Sequence, residues 1–138
     1  GARGTGVINR WLPNGKRFLR RSVVSPEAPL VLKPGEPSTI EMRVGEDVAA
    51  QHARGFESTA ILRLEVKGLE QPGELAVSVN GKPIQPPKAV KDTWLELTVP
   101  AAFLAKGTNR IGLALAAGNK AKATVQDLLL QVRYRKTR

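Results

Sequence analysis

The sequence predicts an all-β domain, an antiparallel two-sheet β-sandwich of about seven or eight strands. Three observations carry this reading. Apolar and polar residues alternate with period two through most of the chain from residue 28 onward. The alternating segments are short and bounded by turn-forming residues. Each has one apolar face, which suits strands packed on one side, whereas buried parallel strands are apolar on both.

The elements follow in order. Residues 1–22 contain Gly1, Gly4, Gly6, Pro13 and Gly15 without a clear period, and residues 1–27 read as a basic arm or linker before a domain over 28–138. A short ordered piece is expected around Val7-Ile8 and Trp11-Leu12. Ala28–Lys33 is a short apolar strand closed by Pro34-Gly35. Ser38–Val44 sets Ile40, Met42 and Val44 on one face. Ser58–Lys67 sets Ala60, Leu62, Leu64 and Val66 inward, with Ile61 interrupting an otherwise polar outer face. Glu74–Asn80 groups Leu75, Val77 and Val79, and Asn80-Gly81 is a hairpin-turn signal because both residues tolerate positive φ. Thr93–Val99 groups Leu95, Leu97 and Val99. Pro100–Lys106, followed by Gly107, predicts one short helical turn. Thr108–Leu115 groups Ile111, Leu113 and Leu115, and Thr124–Tyr134 groups Leu128, Leu130, Val132 and Tyr134.

Alternating strand directions would put connections 34–37, 68–73 and 100–107 at one end. Connections 46–57, 81–92 and 116–123 would share the other end. The second set holds the two longest loops and is the expected binding end.

Composition narrows the function classes. The 138 residues suffice for one domain. With no Cys, disulfides, thiolate metal sites and Cys nucleophiles are excluded. No apolar run approaches the ~20 residues of a membrane helix. The segment after Gly1 lacks the apolar core of a signal peptide. The first residue is not Met, and the chain reads as a piece of something longer.

The net charge of +10 is not spread over the chain. Residues 1–22 hold six basic side chains and residues 133–138 hold four, with no acid in either stretch. These ten equal the whole excess, so residues 23–132 are neutral. Basic ends on a neutral body, with few aromatics to stack on bases, make nucleic acid an unlikely partner and any polyanion binding weak and salt-sensitive.

Val77-Ser78-Val79-Asn80-Gly81-Lys82-Pro83-Ile84 resembles the V-x-V-N-G-x-P-L hairpin of bacterial galactose-binding-like jelly rolls. Trp94–Pro100, then Leu104-Ala105-Lys106-Gly107-Thr108-Asn109-Arg110-Ile111, is similar to the W…P…L-x-x-G-x-N-x-I stretch of those modules. Val125–Tyr134 resembles their last strand. The resemblance spans roughly residues 74–134. It implies a jelly-roll fold and a non-catalytic accessory module, often appended to bacterial glycoside hydrolases. Such modules bind carbohydrate or support the adjacent catalytic domain. The implied localisation is extracellular or periplasmic. The chain departs from sugar-binding members in lacking a cluster of aromatics in its long loops.

Candidate ligand-binding residues are His52, Arg54, Lys82, Gln85, Lys88, Trp94 and Asn119. His52, the only histidine, has no partners for a triad or metal site; it is either a solvated loop residue or a donor to a sugar hydroxyl. Lys82, Gln85 and Lys88 lie in a proline-stiffened segment; Lys82, Lys88, Lys91, Lys120, Lys122 and Arg54 are either ordinary surface cations or, together, contacts to an anionic polysaccharide. Trp94 points away from Leu95 and Leu97, as a sugar platform, a domain contact, or a side chain covered by another segment. Glu46-Asp47 is either a solvated strand end or a source of oxygens for calcium, which needs six to eight of them where few others are near. Asp127 reads as a surface or edge position, or as a member of a buried polar contact. No carboxylate pair is marked out for glycosidase chemistry, and cross-strand pairing with Lys or Arg accounts for most acids. The chain is therefore expected not to be an enzyme and to need no cofactor. A second reading is a structural or assembly domain that docks on a partner chain through the basic N-terminal arm.

Overall fold

A computed structural model describes residues 5–12, 15–22, 27–44, 56–116 and 122–136, with side chains over 27–44, 58–116 and 122–133. It is an antiparallel β-sandwich of two sheets. The strands are β1 (Thr5–Leu12), β2 (Gly15–Ser22), β3 (Leu30–Leu32), β4 (Ser38–Val44), β5 (Phe56–Lys67), β6 (Leu75–Val79), β7 (Lys82–Pro83), β8 (Lys88–Lys91), β9 (Trp94–Val99), β10 (Gly107–Leu115) and β11 (Ala123–Lys136). The larger sheet runs β1-β2-β11-β5-β9-β8, with β3 also paired to β11; the smaller runs β4-β10-β6-β7. The predicted helical turn is a 3-10 turn at Ala101–Phe103 after Pro100.

The alternation works as expected. Ile40, Met42 and Val44 of β4, Val77 and Val79 of β6, and Ile111 and Leu113 of β10 are buried. They meet Leu62, Leu64, Leu95, Leu97, Leu128 and Leu130 of the larger sheet in one core. Between sheets ~10 Å apart, inward side chains interdigitate and outward ones are left to water.

β11 contains a bulge. Its register against β5 shifts between Val125 and Asp127. One extra residue there lets Ala123 and Val125 before it, and Leu128, Leu130 and Val132 after it, all point into the core. Asp127 is only 6 % exposed and makes a buried polar contact, the second of its two readings: its Oδ1 accepts the Leu128 backbone N–H at 2.9 Å within the distorted ladder.

Two further features differ from the sequence expectation. The stretch read as an arm forms the hairpin β1–β2, and β2 pairs antiparallel with β11 from Arg21↔Leu129 to Lys16↔Tyr134. The unpaired edge of β11 beyond β3 supplies the template that weak periodicity did not reveal.

The segment 81–92, read as one long loop, holds two short strands in different sheets. β7 pairs with β6, and β8 pairs with β9. β8 carries the chain back along the sandwich, so the order of ends reverses after it. Gly107, where β10 begins, lies opposite Val44, where β4 ends. Leu115, where β10 ends, accepts a hydrogen bond from the Gly35 backbone N–H. The connection around 100–107 therefore shares an end with the one leaving Val44. The connection leaving Leu115 lies at the opposite end, with 34–37.

Candidate functional site

The described strand ends that flank 45–55 and 117–121 lie at opposite ends of the sandwich. His52, Arg54, Asn119, Glu46 and Asp47 lie outside the described residues. Lys82 opens β7 on the smaller sheet and places its ammonium 5.0 Å from the centre of the Phe103 ring, a cation–π contact. Gln85 is exposed between β7 and β8. Lys88 is exposed at the start of β8, on the larger sheet, opposite Glu96 in register. Glu96 also accepts from Arg63 Nε at 3.0 Å, so Lys88, Glu96 and Arg63 form a charge row across three strands. Trp94 is half-buried on the outer face of the larger sheet, opposite Glu65 and Lys91. Among the described candidates, Lys82 thus belongs to one sheet and Lys88 and Trp94 to the other. Among the described residues no three His, Asp or Glu side chains gather as metal ligands.

A different feature stands out on the outer face of the smaller sheet. Parity along β4, β10 and β6 leaves Thr39, Gly112 and Ser78 outward, and the register sets them side by side. The next row holds Glu41 opposite Arg110, and the one beyond it Arg43 opposite Thr108. Gly112 has no side chain, so the middle of the sheet is recessed. A Cβ built there would lie 2.4 Å from Ser78 Oγ. The result is a cleft of about 560 Å³ lined by Thr39, Ser78, Asn80, Thr108, Arg110 and the two glycines Gly81 and Gly112. That size falls within the range of ligand pockets.

One wall of the cleft is rigid. Asn80 sits at φ +52 and Gly81 at φ +82, the left-handed pair of a tight hairpin. Asn80 Oδ1 accepts the Arg110 backbone N–H at 2.9 Å, and its Nδ2 donates to Phe103 O at 2.8 Å and Asn109 Oδ1 at 2.9 Å. Asn109, fully buried, in turn accepts from Ala105 N–H and donates to the carbonyls of Ala105 and Gly107. The hairpin, the 3-10 turn and the start of β10 are thereby locked together.

The other polar groups are not so committed. The hydroxyls of Thr39, Ser78 and Thr108 engage no partner among the described residues. Arg110 Nε lies 3.9 Å from Glu41 Oε1, with the Arg110 side chain 71 % exposed. That separation is an ion pair without a good hydrogen bond. The cleft can offer hydroxyl donors and acceptors and a guanidinium, with the Glu41 carboxylate beside that guanidinium, and no aromatic surface. Sequence reasoning missed it because its residues become neighbours only through the register. The available signal was Gly112, a glycine inside a well-patterned strand, which marks close approach of a ligand or another backbone.

No family model matches the chain, and no curated protein is similar to it. Solved structures are. Two crystal structures of BuGH86, a glycoside hydrolase family 86 chain, one of the wild type and one of a point variant, were each determined in complex with neoagarooctaose. Each superposes with a TM-score of 0.62 over 87% of this chain at 17% sequence identity. The match spans 19% of the BuGH86 chain. At that identity the likeness is one of fold.

Proposed function

We propose that this β-sandwich is a non-catalytic accessory module of a larger bacterial extracellular or periplasmic carbohydrate-active enzyme. It either binds carbohydrate or supports the adjacent catalytic domain. The observation that carries the reading is the scale of the likeness. The chain superposes on about a fifth of a glycoside hydrolase that was crystallised with an oligosaccharide. A domain that is a minor part of such a chain fits an appended role better than a self-sufficient one.

The described carboxylates also fit this reading. Glu96 is bonded to Arg63, Glu41 faces Arg110, and Asp127 is tied to the backbone of its own bulge. These three described carboxylates thus have structural partners. The module needs no cofactor for recognition by hydroxyl and amide groups.

Affinity electrophoresis tests the reading. Migration of the 138-residue protein would be compared in gels with and without neutral polysaccharides, agarose among them, and sulfated ones. Retardation by at least one glycan is expected for a binding module. Absence of retardation, together with absence of any stable complex with the parent catalytic domain, would remove both forms of the proposal.

A further inference from the structure

Taking the carbohydrate-associated reading as its premise, we infer that the cleft over Gly112 on the outer face of the smaller sheet is a binding site for a neutral polyhydroxylated chain. This places recognition on a sheet face and not at the loop end. Four observations converge on the cleft.

Gly112 is the first. Its backbone is ordinary extended strand, since it is absent from the positive-φ glycines, so its φ does not call for glycine. Glycine in the middle of a strand weakens it relative to alanine. The gain is space: the recess exists because position 112 has no side chain, and even a methyl group would press on Ser78 Oγ. The second is the set of hydroxyls on Thr39, Ser78 and Thr108, which have hydrogen-bonding capacity and no protein partner among the described residues. The third is charge. Arg110 and Glu41 stand side by side at 3.9 Å and offset each other, so the pair beside the recess offers donors and acceptors with its charges balanced, and Arg43 lies one row further out. A guanidinium and a carboxylate together complement the adjacent hydroxyls of a sugar ring. The fourth is rigidity. The three hydrogen bonds of the Asn80 side chain hold the cleft wall before any ligand arrives, which lowers the ordering cost of binding.

Calorimetric titration with neoagarooctaose and a panel of other neutral oligosaccharides tests this, at low and high salt, with a sulfated oligosaccharide as a separate arm. The proteins are wild type, G112V, T39V, K88A and W94A, each checked by thermal melting. G112V fills the recess with a side chain that strands favour, and T39V removes one hydroxyl at nearly constant volume. The expected result is binding of a neutral glycan with little salt dependence, weakened about tenfold or more by G112V and measurably by T39V, and unchanged in K88A and W94A. Undiminished binding by folded T39V and G112V would overturn the site and leave the accessory-module reading intact. Binding confined to the sulfated glycan and lost at high salt would overturn the neutral assignment. A wild-type protein that binds no glycan would remove the site and the carbohydrate-binding form of the reading together.

Discussion

Replacing Asn109 by alanine should be among the most damaging single changes to a polar residue in this domain. The side chain is fully buried and makes four hydrogen bonds: from Ala105 N–H at 2.8 Å, to Ala105 O at 2.8 Å, to Gly107 O at 3.2 Å and from Asn80 Nδ2 at 2.9 Å. A net ~1 kcal/mol per intramolecular hydrogen bond gives an upper figure near 4 kcal/mol. Ala105 is exposed, so water can satisfy part of what is lost there, and the 3.2 Å bond is the weakest of the set. The expected loss is about 2–4 kcal/mol. Urea unfolding followed by tryptophan fluorescence measures it. Asn109→Leu separates polar from packing effects: it refills the volume but restores no partner, so it should remain destabilised by about 2 kcal/mol. The Asn80→Ala, Asn109→Ala and double variants close a thermodynamic cycle, and the shared bond should appear as coupling of about 0.5 kcal/mol or more. A loss below ~1 kcal/mol for Asn109→Ala, or strict additivity in the cycle, would refute the view that this network fastens the hairpin to β10.

Three further expectations follow from the same geometry. Gly68 and Gly107 have nearly the same φ, +99 and +98, but a Cβ at Gly68 meets the Lys122 carbonyl oxygen at 2.4 Å while one at Gly107 meets nothing within 4 Å. Gly68→Ala should therefore lower stability by about 2 kcal/mol or more and Gly107→Ala by about 1, a difference that paired thermal melts resolve. Arg63→Ala should cost less than ~1 kcal/mol despite its 3.0 Å bond to Glu96, because the two side chains are 43 % and 33 % exposed, and added salt should shrink the effect further. Leu64→Ala should cost about 2–5 kcal/mol in denaturant unfolding, since that side chain is completely buried between the sheets.

Most of the sandwich was legible because a half-buried strand writes its environment into its own sequence. Ser38–Val44 and Thr108–Leu115 each display a greasy and a wet face, and both are strands with those faces in place. The turn at Asn80-Gly81 was equally plain, as was the stop at Pro100. The resemblance around Leu104, Gly107, Asn109 and Ile111 has a structural meaning. Leu104 packs against the core, Gly107 takes positive φ, Asn109 ties the loop, and Ile111 is buried. β8 was not legible, because all four of its residues are exposed and nothing alternates. Missing that one strand reversed the assignment of every later connection to an end. The β1–β2 hairpin escaped for a related reason: its pairing depends on β11, more than a hundred residues away. The cleft was hidden because Thr39, Ser78 and Gly112 are remote in sequence and meet only by register.

The partners of β11 have a consequence for how the chain is made. β2, β3 and β5 all bond to that one strand, and each is synthesised long before it. As the polypeptide grows, the centre of the larger sheet has no occupant until residue 136 has been added, so β5 must wait with an open ladder. Such a topology cannot fold piece by piece from the ribosome. It should collapse late and comparatively slowly, and nascent chains halted before Ala123 should be captured by chaperones or aggregate.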